Sequence, residues 1–121
     1  VADVEAVIGP WLEATLGVFS CASTPSDLEA RLPVIRVTAG GGSGGRFSQH
    51  PRVSVDVFAA DDDAARTLAA QVHEALVFLN GTAGLAVIRS VRCDSMPTSR
   101  PWANEAIRRR GAEYTVSLRA A

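Results

Sequence analysis

The chain has 121 residues and a mass of 12.7 kDa, with 47% hydrophobic and 21% charged residues. These values suit one domain over residues 1–121 and exclude wholesale disorder, a fibrous repeat and a membrane span, which needs roughly 18 to 20 consecutive apolar residues. Twelve basic residues against 13 acidic ones leave no basic excess of the kind that phosphate-driven nucleic-acid binding requires.

Every basic residue is Arg, which points to GC-rich coding rather than to a mechanism. The opening Val1-Ala2-Asp3-Val4-Glu5 is acidic and amphipathic, unlike a secretory signal, and the missing Met reads as processing or trimming. Val4, Val7, Ile8, Trp11, Leu12 and Thr15 recur at helical spacing, so Asp3 to Leu16 is expected as a helix. Pro10 falls on the far side of that stripe, where a kinked helix survives it at a cost of about 3 kcal/mol. Gly17 ends the helix, Val18 to Ala22 reads as a short strand, and Asp27 to Arg31 suits one helical turn.

Pro33 opens a second strand, Val34 to Thr38, and the run Gly40 to Gly45 reads as a flexible connection. In the next strand, Arg52 to Ala60, Val53, Val55 and Val57 face one side and Ser54, Asp56 and Phe58 the other. The two strands flanking the glycines are expected to pair as a hairpin. Asp61-Asp62-Asp63 starts a helix with the core stripe Ala65, Leu68, Val72, Ala75, Leu76 and Leu79, closed by Asn80-Gly81. Leu85 to Cys93 reads as a strand and Asp94 to Ala106 as a loop. In the last strand, Ile107 to Arg119, Ala112, Tyr114, Val116 and Leu118 face inward. The order α-β-β-β-α-β-β predicts an α+β fold: a single mixed, mostly antiparallel sheet with two helices packed on one face.

Chemistry is sparse. Gly40, Gly42 and Gly45 match G-x-G-x-x-G in form, but no helix follows to meet a pyrophosphate, so the glycines read as a mobile hairpin tip. The three aspartates at 61–63 read as a helix cap rather than a cation site. His50 and His73 form no metal-ligand or nucleophile–base spacing, and Cys21 and Cys93 read as two buried thiols in strands. No catalytic, cofactor-binding or metal-binding residue is assigned.

The surface is more informative. Val77 and Phe78 lie on the outer side and flank of the second helix, and Trp102 sits among polar loop residues. Arg108, Arg109 and Arg110 open the last strand, where side chains alternate faces. These residues, with Arg46 and Phe47 beside the glycines, are the candidate subunit or partner interface.

The chain resembles the tail terminator proteins of long-tailed bacteriophages of high-GC actinobacteria. The resemblance lies in Asp3 to Ile8 with Trp11-Leu12, in Leu32 to Val37, and in Arg52 to Ala59 before an Ala-rich helix. It is most specific in Arg100 to Glu105, leading to Ile107-Arg108-Arg109 and Gly111 to Arg119. It implies a structural virion protein with no catalytic residues and no cofactor. Such proteins form a homo-oligomeric, hexameric ring on the head-proximal end of the tail tube, assembled in the host cytoplasm. The partners implied are the tail tube protein and the head–tail connector or stopper protein, with DNA passing through the lumen without specific binding. A neck or connector ring is the alternative reading, and a small α+β ligand-binding domain a more distant one.

Overall fold

The computed structural model describes residues 4–44, 49–83, 86–104 and 106–120. The first helix, α1, runs Val4–Leu16 and buries Val4, Val7, Ile8 and Leu12. Trp11 packs at the edge of this stripe, Thr15 is exposed, and Pro10 stays inside the helix on its solvent side. Asp3, the first residue of the expected helix, lies outside the described residues.

A short strand β1 (Phe19–Cys21) leads to the single turn α2 (Leu28–Arg31) and, after a cis Leu32–Pro33 bond, to β2 (Val34–Gly44). Then come β3 (Gln49–Ala59), α3 (Asp62–Val77), β4 (Gly81–Ala83), β5 (Ala86–Arg100) and β6 (Arg108–Ala120). The six strands form one sheet in the order β1-β2-β3-β6-β5-β4. Among the described strands only β1 and β2 run parallel, so the sheet is mixed and mostly antiparallel.

The fold class is the expected α+β, with three corrections to its parts. The run Gly40 to Gly44 is not a free connection: β2 continues through it, paired with Gln49 to Pro51 of β3 past an irregularity between Ala39 and Gly42. A side chain at Gly42 would collide with the His50 carbonyl and come within 2.7 Å of the Pro51 Cα, so glycine is what permits this close pairing. Residues 45–48 lie outside the described set, and with them the rest of the expected mobile tip. The segment Asp94 to Arg100, read as loop, is the second half of β5. Pro97 is accommodated because the β5–β6 register slips between Ser95 and Thr98, where no ladder donor is needed. Finally, α3 ends at Val77 with Phe78 as its cap, and Gly81 instead opens β4.

Alternation along the central strands sorts the side chains. Ile35 and Val37 of β2, Val53, Val55 and Val57 of β3, and Ala112, Tyr114, Val116 and Leu118 of β6 are buried together under α1 and α3. From α3 the expected Leu68, Val72 and Leu76 enter this core, with each fully buried aliphatic side chain contributing about 1.5–3 kcal/mol. Asp61 caps α3, its Oδ1 accepting from the Ala64 N–H at 2.7 Å. The two long helices thus share one face of the sheet. Among the described residues the other face is covered only at one end, where Leu28 of α2 packs with Val34, Phe58 and Ile107.

Candidate functional site

The uncovered sheet face carries the polar partners of those alternating strands. Asp56 stands near its centre, only 2% exposed, although it is charged and its strand neighbours are valines. A buried carboxylate requires cationic partners, and Asp56 has three. Arg36, directly across the β2–β3 pair, donates from Nη2 to Oδ2 at 2.8 Å. Arg109 of β6 donates to Oδ1 from Nε at 3.0 Å and lies 2.9 Å away at Nη2. Arg100, at the end of β5, brings Nη1 to 3.6 Å from the same oxygen.

An aromatic wall flanks these charges. Trp102 meets Phe58 edge-to-face at 4.8 Å between ring centroids. The Arg36 guanidinium lies 5.3 Å from the Phe58 ring and 5.8 Å from Trp102, and that of Arg109 lies 5.6 Å from Trp102. Arg36 also donates from Nη1 to Thr24 Oγ1 at 2.6 Å. The cluster thus holds three guanidiniums around one carboxylate.

The rest of this face is an open concavity of about 1100 Å³ lined by β2, β3, β5 and β6. In it Asp94 Oδ2 accepts from Thr115 Oγ1 and Asp94 Oδ1 from Arg92 Nε at 2.9 Å. The Thr115 hydroxyl and, next, Arg92 hold the Asp94 carboxyl below its usual range. His50 Nδ1 and Ser117 Oγ are 2.8 Å apart, a hydroxyl within reach of an imidazole. His73 instead lies on the helix side, its Nδ1 2.8 Å from the Tyr114 hydroxyl, whose pKa burial raises. Cys21 and Cys93 are half-buried free thiols. Burial raises both, countered at Cys21 by Arg36 and reinforced at Cys93 by Asp94.

The residues singled out in the sequence divide between the two surfaces. Arg46 and Phe47 lie outside the described residues. Val77 is half-buried against the main core, next to the buried Leu76, rather than turned outward. Phe78, by contrast, is 79% exposed. Arg108 is exposed on the helix side, 3.8 Å from Asp62. Arg110 is half-buried on that same side. Arg109 and Trp102 belong to the Asp56 cluster on the open face, so the three arginines do alternate. Asp56, Arg36, Arg100 and Gly111 were missed. The available signal was one acid and one Arg embedded in the valine-rich strands Val34 to Val37 and Val53 to Val57.

In sequence, the chain matches no family model and no characterised protein. In structure it is similar to a chain of the virion of a native gene transfer agent particle. That likeness has a TM-score of 0.64 and covers 97% of this chain and 95% of that one, at 15% identity. It is a likeness of fold.

Proposed function

We propose that this chain is a structural protein of a phage-like virion and, within that class, a tail terminator. The observation that carries the proposal is the shared fold, end to end, with a chain of a gene transfer agent virion. Within that class, the resemblance in Arg100 to Glu105 and Gly111 to Arg119 supports the terminator reading over its alternative, a neck or connector ring. In this reading the chain forms a homohexameric ring on the head-proximal end of the tail tube, stops tube polymerisation and presents a surface to the connector.

Such a role is performed by geometry rather than by chemistry. One face of the ring must match the last tube ring, and the other must lack the surface that tube subunits recognise. A nearly neutral chain suits a lumen that passes DNA without retaining it. The test is assembly with purified tube subunits. The chain should sediment near six times 12.7 kDa and arrest tube elongation when added to growing tubes. Rings that bind the connector but leave elongation unchanged would move the assignment to the neck.

A further inference from the structure

The two long helices and the Asp56 cluster carry opposite charge. The helices α1 and α3 carry Glu5, Glu13, Asp62, Asp63 and Glu74 against Arg66, with Arg108 of β6 lying 3.8 Å from Asp62. Glu13 and Glu74 are exposed, and the Asp63 side chain is 93% exposed. The open sheet face has the opposite bias at the Asp56 cluster, where, among the described residues, three guanidiniums share one carboxylate. Those three arginine side chains keep 19% to 25% of their surface exposed, enough to be reached by one incoming group. Arg36 Nε is buried and has no hydrogen-bond partner among the described residues.

Like charges held together out of water are costly unless a further anion joins them. The planar forks of Arg36, Arg100 and Arg109 already bind one carboxylate, and their geometry suits a second. We infer that this cluster is a receptor for a carboxylate from the acidic helix layer of an adjacent copy of this chain. The inference rests on the ring reading above. Donor and receptor lie on opposite surfaces, so the contact is heterologous and repeats head to tail, as a closed ring requires. A nucleic-acid backbone fits less well. It tracks along a row of exposed basic side chains, whereas this recess is bounded by Trp102 and Phe58, and the neighbouring Arg92 is held by Asp94.

Two variants test it. Arg100→Glu disables the receptor, and Glu13→Arg combined with Glu74→Arg disables the donor layer. Each should raise the concentration needed for assembly by about tenfold or more, while circular dichroism shows a folded subunit. Mixed in equal amounts, the two should form a one-to-one dimer, because each still offers one intact surface. If Arg100→Glu fails to fold, Arg100→Gln serves instead, since it removes only the 3.6 Å contact. Assembly of the wild type, read separately, should weaken as salt rises from about 0.05 to 0.5 M. Variants that assemble at the wild-type concentration, a mixture with no dimer, or salt-independent assembly would each overturn the receptor and leave the ring standing. Normal assembly combined with lost retention of duplex DNA would assign the cluster to nucleic acid. A wild type that stays monomeric at every concentration would overturn the ring reading together with the adjacent copy as donor.

Discussion

Gly111 lies directly across the β3–β6 pair from Asp56, and its missing side chain makes room for the Arg100 guanidinium at that carboxylate. A Cβ at Gly111 would stand 2.5 Å from Asp56 Oδ1 and 2.7 Å from Arg100 Nη1. The cluster on the open face therefore depends on a residue that contributes no side chain to it. Gly111→Ala should push Arg100 aside and cost about 1–3 kcal/mol, as overpacking does. Urea denaturation checks this, and an unchanged midpoint would contradict the described packing.

Asp56→Asn should be more damaging. It preserves shape and leaves three guanidiniums facing a neutral amide. Breaking a buried ion pair from one side costs about 3–5 kcal/mol, and the partial exposure of the arginines places this variant near the lower end. The same urea titration reads the loss. A variant as stable as the wild type would mean that solvent already screens the cluster.

The helix-covered face was legible because its signal is local. The period of two in Val53 to Val57 and Ala112 to Leu118, and the period near 3.6 in α1 and α3, each state which way a side chain points. The open face was not. Asp56 acquires its meaning from Arg36, Arg100 and Arg109, which arrive from three other strand positions, and no spacing within one strand announces that meeting. Local composition also misled at both extended strands. The glycines of β2 favour a loop until Gln49 to Pro51 pair with them, and Pro97 favours a loop until a register slip removes the need for its missing donor.

Leu76 is 1% exposed in the main core under α1 and α3. Leu76→Ala should cost about 2–5 kcal/mol, the sum of lost transfer energy and the cavity left behind. Val77 next to it is half-buried, so Val77→Asp would disturb folding as well as any surface contact. Thermal denaturation of the two variants checks both statements. A Leu76→Ala protein that melts like the wild type would contradict the placement of α3.

The Asp94 contacts tie β5 to β6 and carry a pH signature. The folded carboxyl is held below its ordinary pKa of 3.8, first by Thr115 and then by Arg92. A depressed carboxylate contributes stability that is present above the unfolded pKa and disappears as pH falls through the lower, folded one. Thr115→Val should therefore lower the melting temperature at about pH 7, and the gap from the wild type should close as Asp94 becomes protonated below about pH 4. A gap that stays constant into acid would assign the loss to packing alone.

The central claim is that this chain terminates a tail, and tail length in its absence tests that most directly. Deleting the gene and imaging the particles by electron microscopy should show overlong or ragged tails beside filled heads that have not joined them. Tails of normal length that fail only at head attachment would place the chain in the neck instead. Normal, infectious particles would contradict the account.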